Sequence, residues 1–118
     1  MGGSKGTTAV NPEQLLGLAW STCFLSALNA VHGEKHPGAK PLPKSTAVRA
    51  NISIGKDAHA KLPGFLLAAE LEVLKGPLEE AGLDHAAIED LVKAAHAICP
   101  YSRATHGNIE VHISVVDA

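Results

Sequence analysis

The chain has 118 residues, 46% of them hydrophobic and 19% charged, with a formal charge of −2. That length suits one domain with one modest core, and the interspersed charges leave no footprint for nucleic acid or an anionic membrane surface. Two cysteines with no recognisable secretory leader argue against a disulfide scaffold, leaving inert thiols or redox chemistry and an expected cytoplasmic location.

Residues 1–10 are rich in Gly, Ser and Thr and read as a loop. Asn11–His32 then reads as the central helix. Asn11 suits the N-cap, Pro12 the first helical position, and Glu13 the positive end of the helix dipole. From Leu15 to Val31 almost every position is apolar or small, so the helix is expected to be covered on all sides, with Gly33 as its stop. Ser21, Thr22, Ser26 and Asn29 interrupt the run and no basic flank borders it, which favours a core helix over a membrane span. Cys23 is therefore expected inside the protein.

Gly33–Lys44 holds three prolines and two glycines and reads as an irregular connection. Two strands follow within residues 45–74. Val48, Ala50, Ile52 and Ile54 alternate with polar neighbours, and Phe65 to Val73 alternate against Glu70 and Glu72, so an antiparallel hairpin is expected. Lys75–Gly82 reads as a connection. The second helix spans 84–98, with Asp84 as N-cap and Ile88, Leu91, Val92, Ala95 and Ile98 at helical spacing. Pro100 stops it, placing Cys99 at its end. Tyr101–Gly107 reads as a loop, and the last strand, at 108–116, is the clearest alternation in the chain.

The predicted class is α+β, with a long buried central helix and a second helix on one face of an antiparallel-rich sheet. Three strands cannot cover so apolar a helix on both sides, so a partner subunit or further strands must supply the rest. If the two helices pack together, Cys23 and Cys99 can approach; the residues alone leave a dithiol site and inert thiols both open. Trp20 either walls a pocket or packs in the core, and Tyr101 is expected against the sheet. His106 reads as an exposed loop residue. His32 and His36 have ligand spacing but straddle the Gly33 stop, and His96 with Cys99 is at most half a metal site, so no metal is expected.

Two strings narrow these alternatives. GGSKGTTAVNPEQLLGLAWSTCFLSAL at residues 2–28 and AHAICPYSRATHGNIEVHISV at residues 95–115 resemble the organic hydroperoxide resistance proteins of the OsmC-like family. The carrying motifs are Asn11-Pro12-Glu13-Gln14-Leu15, Cys23-Phe24-Leu25 and Cys99-Pro100-Tyr101-Ser102 with Ala104-Thr105 and Gly107-Asn108-Ile109. The resemblance implies a single OsmC-like domain over 1–118, shortened at its N-terminus, in an intertwined homodimer. It also implies a thiol peroxidase that reduces alkyl and fatty-acid hydroperoxides to alcohols. No bound cofactor is implied; the reductant is an external dihydrolipoamide-type dithiol or a lipoylated protein.

In that resemblance Cys23 matches the peroxidatic cysteine, Cys99 the resolving one, and Glu13 the active-site glutamate. Ten helical residues between Glu13 and Cys23 amount to about 15 Å of rise, so one unbroken helix cannot bring both to one site. The family's arginine partner has no counterpart at its position: Arg49 and Arg103 are the only arginines here. Without a nearby cation a buried thiol has a raised pKa, so an impaired peroxidase is expected unless another cation substitutes. The competing expectation is a non-catalytic OsmC-like dimer serving as thiol sensor or ligand-binding protein.

Overall fold

A computed structural model describes residues 11–57 and 64–117. The expected loop at residues 1–10, and most of the turn between the first two strands, lie outside the described residues. Helix α1 covers Pro12–Lys35, followed by β1 (Val48–Lys56), β2 (Phe65–Leu74), α2 (Lys75–Glu80), α3 (His85–Ile98), α4 (Pro100–Thr105) and β3 (Glu110–Val116).

The start of α1 is as the sequence reads. Asn11 Oδ1 accepts the Gln14 N–H at 2.8 Å and Gln14 Oε1 accepts the Asn11 N–H at 2.9 Å, closing a reciprocal capping box. Asn11→Ala is expected to cost about 1 kcal/mol of stability, read from urea unfolding. The end of α1 differs. Gly33 sits inside the helix, which runs on to Lys35 and is capped at His36, whose N–H donates to the His32 carbonyl at 3.0 Å. A glycine tolerates a helix interior at a cost of about 1 kcal/mol against Ala, and nothing after it demands a left-handed turn until Gly38, whose φ is 82°.

The sheet order is β1-β2-β3. The predicted hairpin is present, with Val48 opposite Val73 and Lys56 opposite Phe65 in antiparallel register. β2 and β3 instead run parallel, Ala69 opposite Val111 and Val73 opposite Val115, so the sheet is mixed rather than antiparallel-rich. Parallel pairing needs a long crossover, and α2, α3 and α4 provide it. Both segments expected as loops here are helical in part: Lys75–Glu80 forms α2, and Pro100–Thr105 forms α4 with Pro100 in its first turn.

One sheet face carries Ala69, Leu71 and Val73, all buried, flanked by Ala50 and Ile52 of β1 and Val111, Ile113 and Val115 of β3. Against it pack Trp20, Phe24, Leu28 and Val31 of α1 and Ile88, Leu91, Val92 and Ala95 of α3. Gly17 lets α1 lie close on β1: a Cβ there would stand 3.3 Å from Ile52 Cγ1 and 3.6 Å from the Ala50 carbonyl. The opposite sheet face is polar, with Asn51 Nδ2 donating to Glu72 at 2.8 Å and Arg49 paired with Glu72 at 3.5 Å.

α1 has the length and mean hydropathy of a membrane span, yet its large side chains build this core. It is not covered on all sides as expected. Sheet and α3 take one face, while Leu15 and Leu18 remain 54% and 66% exposed. Cys23 is accordingly half-buried rather than enclosed.

Candidate active site

Three helices bring the two cysteines together. α1 carries Cys23 one turn after Trp20 and beside Phe24, both fully buried, which fixes the face the thiol lies on. Cys99 is the hinge between α3 and α4: its N–H donates to the Ala95 carbonyl at 2.8 Å, and its own carbonyl accepts the Arg103 N–H at 2.9 Å. Its extended backbone ends one helix and starts the next, which Pro100 permits because the first helical position needs no N–H donor. The corner is held from below by Trp20, whose Nε1–H donates to buried Ser102 Oγ at 3.4 Å and whose ring stacks on Tyr101 at 6.3 Å between centroids. Tyr101 thus packs on Trp20, and Trp20 is a core residue.

The sulfurs stand 3.6 Å apart, both as free thiols. A disulfide needs about 2.05 Å, so a small movement of the α4 corner or a rotamer change closes the gap. Access is unequal. Cys99 is fully buried, whereas Cys23 is half-buried and packs at the margin of the core. An incoming electrophile meets Cys23, with Cys99 behind it.

Burial pushes the Cys23 thiol above the ordinary 9.0, and sharing its own S–H with Cys99 pushes it further; the Tyr101 backbone N–H works in the opposite direction. The sign matters for chemistry. Because the charged form is disfavoured, little thiolate is present at neutral pH, and its fraction rises about tenfold per pH unit until the pKa is reached. Iodoacetamide labelling of Cys23, followed by peptide mass spectrometry, is expected to accelerate steadily from pH 7 through pH 9. A plateau near pH 7 would show a cation beside the thiol.

Glu13 lies elsewhere. Since α1 is continuous from Pro12 to Lys35, about 15 Å of helix separates it from Cys23 in one chain. It lines a groove of about 480 Å³ between the start of α1 and β1, with Gly17, Leu18, Ser21 and Asn51. Its Oε2 is buried without a hydrogen-bond partner. Neither arginine accompanies the thiols: Arg49 pairs with Glu72, and Arg103 lines a separate pocket on α3 and α4. Among the described residues no group of three or more His, Cys, Asp and Glu side chains could hold a metal ion.

The family profile described as OsmC-like protein matches residues 2–114. The chain belongs to the OsmC-like family. Among its OsmC-like relatives, Bacillus subtilis organic hydroperoxide resistance protein OhrA is 39% identical over 92% of this chain and 69% of its own length. The organic hydroperoxide resistance protein of Xanthomonas axonopodis pv. citri is 33% identical over 96% of this chain and 71% of its own. The solved structure of Bacillus subtilis OhrB superposes with a TM-score of 0.71 at 29% identity, covering 94% of this chain and 73% of that one. A Vibrio cholerae structure, described as an organic hydroperoxide resistance protein with captopril in one of its active sites, gives 0.74 at 34% identity, covering 92% and 66%. This OsmC-like chain therefore spans about two thirds of the length of these relatives.

Sequence reading missed two parts of the site. Ser102 is a buried hydroxyl within a segment taken as loop, and the Trp20–Tyr101 stack joins residues 81 positions apart. Pro100 was the available signal, because proline directly after a helix end also suits the start of a new helix.

Proposed function

We propose that the protein detoxifies organic hydroperoxides as a thiol peroxidase, with Cys23 attacking and Cys99 resolving. The observation that carries this reading is the 3.6 Å approach of one reachable and one enclosed thiol, and relatives named for organic hydroperoxide resistance support it. Cys23 thiolate attacks the outer peroxide oxygen; the O–O bond breaks, the alkoxide takes a proton and leaves as alcohol, and Cys23 becomes a sulfenic acid. Cys99 sulfur then displaces the sulfenic hydroxyl, forming the disulfide and releasing water. An external dithiol of the dihydrolipoamide type, free or on a lipoylated protein, returns both thiols and is itself oxidised to a cyclic disulfide. An alkyl chain gains about 0.8 kcal/mol per buried CH₂ against the apolar margin of the site, which favours alkyl and fatty-acid hydroperoxides over hydrogen peroxide.

The working unit is a homodimer. Leu15 and Leu18 flank the Glu13 groove and are exposed in the single chain; a second copy covers them and carries a Glu13 toward the first copy's sulfur pair. Light scattering on the purified protein is expected to give twice the chain mass. The activity test is consumption of cumene hydroperoxide with dihydrolipoamide. Loss of peroxide beyond one equivalent per chain only when the dithiol is present, and faster than with hydrogen peroxide, is the expected result. A folded protein that consumes neither would overturn the enzymatic reading and leave a non-catalytic dimer.

A further inference from the structure

The corner of α3 and α4 holds a second group of side chains that the thiol chemistry does not use. A pocket of about 390 Å³ is lined by Lys93, His96, Ala97, Ser102, Arg103 and His106. Four of these can carry positive charge and none can carry negative charge. This is not a surplus of cations spilling over, since the chain has 12 acidic and 10 basic residues. The pairs Arg49–Glu72, Lys75–Asp117, His85–Glu89 and His112–Glu110 involve none of these side chains, and no carboxylate is among the pocket's lining residues.

Two further observations bear on the pocket. His96 is half-buried at its edge, with its Nδ1 enclosed by protein and without a hydrogen-bond partner. Ser102 is 3% exposed and accepts the Trp20 Nε1–H, which leaves its own O–H to donate. Burial, and then the neighbouring His106, hold the His96 imidazole below its ordinary 6.5. An anion between the rings would offset both effects.

We propose that this pocket binds a phosphate group, free or carried on a small molecule, through Arg103, Lys93, His96 and His106 with the Ser102 hydroxyl. A phosphate dianion offers several acceptor oxygens in a tetrahedral array, enough for the several donors that line the pocket, where a carboxylate would leave some unsatisfied. The planar Arg103 fork suits two of those oxygens, and Lys93 supplies a point charge. The site lies one helical turn from Cys99, whose carbonyl accepts the Arg103 N–H. It does not depend on the peroxidase reading.

The test follows the histidine imidazole signals of the full chain by NMR at pH 7 and constant ionic strength, with three titrants: inorganic phosphate, glycerol phosphate and octanoate. Saturable shifts of His96 and His106 with phosphate, leaving His85 and His112 unmoved, are expected. Arg103→Gln, an exposed position where the fold is not at stake, is expected to weaken binding by about tenfold or more. Saturation by glycerol phosphate as well identifies a carried phosphate; saturation by inorganic phosphate alone identifies the free ion. Response to octanoate alone, no saturable shift with either phosphate, or unchanged affinity in Arg103→Gln would each overturn the proposal.

Discussion

Replacing Cys23 by serine is expected to abolish hydroperoxide reduction, a fall of about 10³-fold or more, because the reacting atom itself is removed. Cys99→Ser is expected to fail differently. Cys23 is still reachable and still attacks, so a first equivalent of peroxide is consumed per chain. The sulfenic acid then has no sulfur 3.6 Å away to displace its hydroxyl, and further peroxide drives it to the sulfinic and sulfonic acids. Mass spectrometry of Cys99→Ser after excess peroxide should therefore find added oxygen on Cys23, where the parent chain shows a disulfide. Equal activity in the parent and Cys23→Ser would remove the thiol from the reaction altogether.

The largest structural effect is expected at Trp20. The side chain is fully buried, touches the core on one side and the α4 corner on the other, and holds Ser102 and Tyr101. Trp20→Ala should cost about 3–5 kcal/mol, a large share of the stability of a domain this size, for which about 5–15 kcal/mol is usual. Trp20→Phe keeps the ring but loses the Ser102 hydrogen bond and is expected to cost less. The two variants separate packing from positioning. If the sulfurs meet because Trp20 supports the corner, Trp20→Phe will fold, yet form the Cys23–Cys99 disulfide more slowly than the parent chain. A disulfide rate unchanged in a folded Trp20→Phe would show that Cys99 is placed by the α3 end alone.

What could be read in advance follows the strength of the local signals. The Asn11 cap, the Asp84 cap and the alternation from Val111 to Val115 are rules of near neighbours, and each stands where the residues indicate. Gly33 misled because a glycine permits a turn without requiring one, and among the described residues the left-handed turns fall at Gly38, Gly82 and Gly107. The parallel pairing of β2 with β3 was out of reach of periodicity, since alternation specifies a face and not a direction. The uniform apolarity of α1 was read as all-round burial. Part of it is exposed in the single chain, at Leu15 and Leu18, which is the face the proposed second copy would cover.

For the site, Cys23 and Cys99 were singled out as chemistry-bearing residues, but only packing could place them in contact. Glu13 stands apart from them, as helix rise alone required. The raised Cys23 pKa was foreseeable from burial without a paired cation, and it is what burial produces. The basic pocket at Lys93, His96, Arg103 and His106 was not foreseen. Its residues come from α3, from α4 and from the cap that follows α4, so their spacing along the chain carries no visible period.

The central claim is that Cys23 and Cys99 act as one redox pair. The most direct measurement treats the reduced protein with one equivalent of cumene hydroperoxide per chain, without reductant, then counts free thiols and maps the linkage by peptide mass spectrometry. Both of the chain's two thiols should disappear together, with a single intramolecular Cys23–Cys99 bond and one alcohol released per chain. Peroxide left unconsumed with both thiols intact, or oxidation of Cys23 with Cys99 still free, would contradict it.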